Sequence, residues 1–141
     1  MNDCLINLKS YPNQSQVKEL LACCMWPDEE KIAQELSAYL EDDSRSLLGE
    51  VIDHTLVGLM GITRISNEKV ILKHIAVKEE YRNKGIGKKM LQAYIANQRI
   101  SLLEAETDLE AVDFYRRIGF QISSLGEKYK GVERFKCQYT K

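Results

Sequence analysis

No stretch of this 141-residue chain approaches the roughly 20 consecutive apolar residues of a membrane-spanning helix, and Met1 to Cys4 carry no basic segment leading into an apolar run. A cytoplasmic protein without membrane contact is the expectation. Histidine is scarce, His54 and His74 alone, and Cys4, Cys23, Cys24 and Cys137 show neither CxxC spacing nor the density of a disulfide scaffold. That pattern argues against a metal site and predicts buried, reduced thiols. An excess of one charge is also lacking: 20 Lys and Arg face 21 Asp and Glu, giving a net charge of -1 and a pI near 6.2. Bulk electrostatics therefore draw the chain neither to nucleic acid nor to an anionic membrane. Repeats, linkers and low-complexity tracts are missing too. With 44% hydrophobic residues, one domain over residues 1–141 with its own core is expected.

What the sequence does have is a short basic, glycine-bearing stretch, Tyr81-Arg82-Asn83-Lys84-Gly85-Ile86-Gly87-Lys88-Lys89, directly after the apolar run Val70 to Val77. Glycine lets the backbone turn so that several N–H groups converge, and a following helix adds unpaired donors and the positive end of its dipole. The layout is that of a phosphate cradle, and its local charge suits a small anion better than a polymer. A Walker-type loop needs Ser or Thr after Gly-Lys, where Lys89 stands; a dinucleotide fingerprint needs a small residue at Met90 and a turn directly after the strand. Both patterns fail.

Along the chain, residues 5–8 form a candidate strand. Asn13 with Gln16 resembles a capping box for a helix over 14–25, and Pro27 suits the first turn of a second helix facing inward through Ile32, Leu36, Tyr39 and Leu40. Acidic Asp28, Glu29 and Glu30 stand at that helix's positive end. Runs at 47–52, 56–65 and 70–77 read as three antiparallel strands, followed by a helix from Ile86 to about Gln98 and a buried strand from Ile100 to Ala105. Thr107 and Glu110 read as the capping box of a further helix with Ala111, Phe114, Tyr115 and Ile118 inside and Gly119 as its stop. Strands over 120–125 and 132–139 follow, joined by a loop over 126–131.

Two motifs resemble those of the GNAT superfamily of N-acetyltransferases. Arg82-Asn83-Lys84-Gly85-Ile86-Gly87 matches R/Q-x-x-G-x-G/A at a helix start, and Phe114-Tyr115-Arg116-Arg117-Ile118-Gly119-Phe120 matches an aromatic pair before Gly-Phe. The resemblance covers residues 46–124 and, in outline, the first two helices. It implies an α/β (α+β) acyl-CoA N-acyltransferase fold: a mixed, mainly antiparallel seven-stranded sheet flanked by about four helices. It further implies acetyl-CoA as cosubstrate. The backbone from Arg82 through Asn83, Lys84, Gly85, Ile86 and Gly87 to Lys88 would hold the pyrophosphate, and Ile75, Ala76 and Val77 would meet the pantetheine arm.

Acetyl transfer to an amine needs a neutral nucleophile, an oxyanion donor and help for the departing thiolate. The resemblance puts Val77 N–H at the oxyanion and Tyr115 at the thiolate. Some relatives carry a glutamate where Ile71 stands, so Glu104, Glu106 and His74 are the candidate bases. The acceptor, a primary amine on a small molecule or a protein, would lie between residues 24–45 and the 126–131 loop. Asp42, Asp43 and Glu127 are acidic residues there that would attract a cationic amine. The direct-attack, ternary-complex enzyme competes with a non-catalytic acyl-CoA sensor or assembly module, and a homodimer is compatible with either.

Overall fold

The computed structural model describes residues 5–141, excluding the side chains of 128 and 129; Cys4 lies outside the described residues. The elements run β1 (Ile6–Asn7), α1 (Gln14–Ala22), α2 (Glu29–Glu41), β2 (Arg45–Ile52), β3 (Thr55–Arg64), β4 (Lys69–Val77), α3 (Ile86–Asn97), β5 (Leu102–Asp108), α4 (Val112–Ile118), β6 (Gln121–Tyr129) and β7 (Val132–Thr140). All seven strands join one sheet in the order β1-β2-β3-β4-β5-β7-β6, antiparallel except for the β4–β5 pair. The expected architecture is the one found.

Each sheet face has its own core. On one side α3 and α4 bury Met90, Leu91, Val112 and Tyr115 against Val57, Val70, Leu72, Leu103 and Ala105. On the other, α1 and α2 bury Val17, Leu21 and Tyr39 against Leu47, Leu59 and Ala76. Strand alternation produces this division, since successive side chains point to opposite faces. In β4 the alternation slips once. Gly61 pairs with His74 but Ile62 pairs with Leu72, leaving Lys73 as an extra residue, a β-bulge. Val70 and Leu72 face the α3/α4 side, and beyond the bulge Ile75 and Val77 pack there as well, while His74 and Ala76 go to the other side.

Several local expectations change. β1 has only two residues, because Leu8 to Ser10 coil into a single 3₁₀ turn capped by the Asn7 side chain. Asn13 caps α1 as expected, accepting from Gln16 N–H, yet α1 ends at Ala22. For α2 the cap is Asp28, which accepts from Lys31 N–H, so Pro27 stands just outside the helix, and Leu40 is exposed. Thr107 is no helix cap: the buried alternation Leu103, Ala105, Thr107 carries β5 on to Asp108, whose carboxylate accepts from Ala111 N–H ahead of α4. The expected 126–131 loop is mostly strand, with β6 and β7 paired to Tyr129 and Val132 through two register shifts, between Ser124 and Gly126 and between Glu127 and Tyr129. Of the described cysteines Cys137 is buried, Cys24 half-buried and Cys23 exposed, so burial does not hold for all.

Candidate functional site

The β4–β5 pair divides into a closed end and an open end. Lys69 to Leu72 pair in parallel with Leu102 to Ala105, and the register stops there. From His74 onward β4 keeps its ladder with β3, while β5 continues with β7. Lys78 N–H donates to Val57 O at 2.8 Å, so the backbone groups of residues 76 and 78 point to β3 and those of 75 and 77 point into the opening. Two side chains reach those groups. The Cys24 thiol lies 3.3 Å from Ile75 O, and Arg82 Nε donates to Val77 O at 2.9 Å. Burial pushes the Cys24 pKa up to about 11, so it is a neutral thiol that donates to the carbonyl.

Beyond β4 the cradle takes shape. Asn83 and Gly85 both have positive φ, 63° and 79°, and Gly85 is the left-handed residue at the head of α3. Such alternation turns successive N–H groups toward one point, an anion-binding concavity continued by the first turn of α3. A Cβ on Gly85 would meet nothing within 4 Å, so only its backbone conformation demands glycine. A Cβ on Gly87 would come 3.3 Å from the Phe114 ring, which closes the cradle from α4. A cleft of about 620 Å³ lies over this segment, with Val77, Arg82, Gly85, Gly87, Lys88 and Phe114 in its wall. It continues through Val77, Gly87 and Phe114 into a second space of about 450 Å³ that reaches Cys24, Ile75, Thr107 and Tyr115. An extended, amide-bearing ligand with a polyphosphate end fits this outline: main-chain groups offered along the opening, N–H donors at its mouth.

Tyr115 stands at the inner end of this channel. Its ring packs edge-on against Phe114 at 5.1 Å and Phe120 at 5.2 Å, which fixes its direction. Burial pushes the phenol well above its ordinary value of 10 and keeps it protonated.

The three candidate bases are placed differently. Glu104 and Glu106 share a face of β5 but are engaged. Glu104 accepts from Gln138 at 3.0 Å and sits 3.6 Å from Lys69, and Glu106 is 3.1 Å from Arg134 Nε. Both line a cavity at the closed end, one residue below Thr107 and Asp108 of the channel. His74 faces α2, its Nδ1 2.6 Å from Tyr39 Oη and its Nε2 3.9 Å from Glu35, which also binds Arg45 at 3.3 Å. Burial lowers the His74 pKa despite Glu35, and burial raises that of Tyr39, so the phenol donates to a neutral imidazole. The structure thus gathers Ile75, Ala76, Val77, Gly87 and Tyr115 around one channel and sets His74 behind it.

Sequence reading missed Cys24 and Phe114 as channel residues and Asp108 as the turn before α4. The aromatic pair at 114 and 115 was a signal for Phe114; nothing local signalled Cys24, which reaches β4 from 51 residues away. Asp42, expected to attract an acceptor, instead closes α2, accepting from Ser44 N–H and Oγ.

Comparison with known proteins gives a consistent picture. The acetyltransferase (GNAT) domain family matches residues 29–122. A spermine/spermidine N(1)-acetyltransferase of Bacillus subtilis (strain 168) is 38% identical over 64 residues, 40% of this chain and 42% of that protein. An uncharacterized N-acetyltransferase of Bacillus methanolicus is 30% identical over 66 residues, covering 47% of this chain and 55% of its own. The chain thus spans about half the length of these two relatives. Among solved structures, an aminoglycoside 6'-N-acetyltransferase complexed with coenzyme A superposes with a TM-score of 0.81 at 16% identity, covering 98% of this chain and 97% of the other. An acetyltransferase from Elizabethkingia anophelis with acetyl-CoA bound gives 0.70 at 21%, covering 87% and 89%. At these identities the likeness is one of fold.

Proposed function

Because this chain belongs to the GNAT acetyltransferase family, we propose that residues 1–141 act as one domain that transfers an acetyl group from acetyl-CoA to a primary amine. The observation that carries the reading is the opening of β4 from β5 after Leu72 and Ala105, directly below the cradle. Backbone groups of Ile75 and Val77 that lack a strand partner accept an extended pantetheine arm as they would a strand. A pantetheine amide takes the place of the Cys24 thiol at Ile75 O. The N–H groups from Asn83 to Lys88, fanned by the two positive-φ residues, hold the pyrophosphate.

Chemistry follows by direct attack in a ternary complex. Val77 N–H faces the opening and donates to the carbonyl oxygen as it gains charge. The amine nitrogen bonds to the acetyl carbon, the carbon–sulfur bond breaks, and the thiolate leaves beside Tyr115. A phenol of ordinary pKa about 10 facing a thiol of about 8.5 would lose roughly 2 kcal/mol on full proton transfer, and burial widens that gap. Tyr115 therefore acts as a hydrogen-bond donor to the departing sulfur. The amine proton leaves through water: Glu104 and Glu106 are held in ion pairs and His74 by Tyr39, so none is poised to take it. An acceptor amine of low pKa is then favoured, since deprotonating an α-amine of pKa about 7.8 at pH 7 costs about 1 kcal/mol against about 4.6 for a lysine-like amine.

Thiol release from acetyl-CoA across a panel of amines tests the reading. Turnover of at least one amine is expected. Coenzyme A binding without turnover of any would replace the enzyme with an acyl-CoA-binding module.

A further inference from the structure

On the face away from α3 and α4, the closed end of the β4–β5 seam carries a cavity of about 370 Å³ that the proposed transfer does not use. Leu72, Leu103, Ala105 and Cys137 point into the α3/α4 core, so their strand neighbours Ile71, Glu104, Glu106 and Lys136 stand on the opposite face. Helices α1 and α2 pack over β2 to β4 and leave this part of β5 and β7 uncovered. On the α4 side of the seam the channel past Phe114 and Tyr115 is taken by the proposed pantetheine arm, and the cradle by its pyrophosphate. An acceptor therefore approaches the open end along this uncovered face, across the cavity.

The charges there are unbalanced. Among the described residues, Lys73, Arg134 and Lys136 of the lining and Lys69 beside it face Glu104 and Glu106, four cations against two carboxylates. Both carboxylates are taken: Glu104 by Lys69 and Gln138, Glu106 by Arg134. From α2, Glu35 is held by Arg45 and lies beside His74. Lys73, exposed on the bulge, and Lys136, half-buried on β7, form no ion pair among the described residues. Lys73 stands four positions before Val77, roughly 13 Å along the strand, and its long side chain spans part of that interval, leaving a gap that a short acceptor with its anionic group a few bonds from the attacking nitrogen would bridge.

Resting on the acetyl-transfer reading, we propose that Lys73 and Lys136 form an anion subsite, and that the acceptor is a small primary amine carrying a carboxylate or phosphate a few bonds from its nitrogen. A polyamine is disfavoured, because its second ammonium would enter a space with two unpaired lysines. The substrate named for the spermine/spermidine relative is then not the one this chain prefers.

Matched acceptors test this by thiol release: γ-aminobutyrate against butylamine, phosphoethanolamine against ethanolamine, and spermidine. The expected kcat/KM is about 10-fold higher for the anionic member of at least one pair, and the pair that responds identifies carboxylate or phosphate. In the Lys73→Glu, Lys136→Glu variant that ratio inverts and spermidine gains. A ratio near one in the wild type, or one unaltered in the variant, overturns the subsite. A readout independent of turnover is titration of the coenzyme A-loaded protein with the same compounds, following the amide NMR signals of Lys73 and Lys136. Saturable shifts with the anionic compounds alone support the subsite even if no amine is acetylated, in which case the acetyl-transfer reading fails by itself. Equal shifts with butylamine and ethanolamine, or none with any compound, overturn it.

Discussion

The two ends of the β4–β5 seam differ in what they present. At the closed end the backbones satisfy each other from Lys69 to Leu72, and what faces solvent is charged side chain: Lys69, Lys73, Glu104 and Glu106. At the open end the side chains are mainly apolar or aromatic, Ile75, Val77, Phe114 and Tyr115 among them, with Asp108 the one charged residue of the described lining, and what is on offer is backbone. Main chain recognises a ligand whose features never vary, while side chains recognise one that natural variation can change. The proposed function accordingly assigns the invariant cosubstrate to the open end, and the proposed subsite assigns the acceptor's anionic group to the closed end.

If that division is right, changes of backbone shape should be far more damaging at the open end than losses of charge. The largest effect is expected from Gly85→Val with Gly87→Val. Gly85 has a φ of 79° that β-branched residues strongly resist, and a Cβ on Gly87 presses on Phe114. Coenzyme A affinity by calorimetry should fall about 1,000-fold, ~4 kcal/mol, with the fold retained by circular dichroism. Unchanged affinity would remove the cradle from the argument.

Next comes Tyr115→Phe, which keeps the packing against Phe114 and Phe120 and removes one hydroxyl. The turnover number should drop about 100-fold while the dissociation constant for coenzyme A stays within about twofold. A full-speed variant would make Tyr115 a core aromatic only.

A smaller effect belongs to the residue behind the seam. Burial holds the His74 pKa below its ordinary 6.5, so the folded state favours the neutral ring that accepts from Tyr39. Between the folded and unfolded values the unfolded chain binds more protons, so stability rises with pH through that window, is complete above 6.5 and is lost on acidification. Denaturant titrations at pH 7.5 and 5.5 should show a decline that is smaller in His74→Gln. Equal declines would detach His74 from it.

The smallest effect is that of Lys88→Ala. Its ammonium is an exposed charge at the mouth of the cleft, and affinity for coenzyme A should fall only about 3-fold at low salt and hardly at all at high salt. A loss rivalling that of the glycine variant would contradict the primacy of main chain here.

The cradle and the aromatic pair were legible in the sequence because each is written in consecutive residues: positive-φ glycine ahead of a helix, adjacent Phe114 and Tyr115 ahead of Gly119. Element order was legible through periodicity. Thr107 misled because T-x-x-E is also what a buried strand threonine produces when an acidic residue follows, and only the continued burial of Leu103, Ala105 and Thr107 separates the two. The 126–131 segment gave no strand signal because its hairpin is largely solvent-exposed and lacks an apolar alternation to read. Illegible altogether were Lys69 with Glu104, Arg134 with Glu106 and Cys24 with Ile75, whose partners are brought together by the sheet across 28 to 51 residues.

The bulge at Lys73 acts on β4 as an inserted letter acts on a reading frame. Upstream, the α3/α4 core reads the even residues Val70 and Leu72; downstream it reads the odd residues Ile75 and Val77. Deleting Lys73 would join Leu72 to His74 in one regular alternation, with Ile75 and Val77 still toward α4 and their backbone groups still toward the opening. What the bulge adds is a second consecutive residue, Lys73 beside His74, on the face away from α3 and α4. One surplus residue thus adds a cation to the seam without turning the part of the strand available to a ligand.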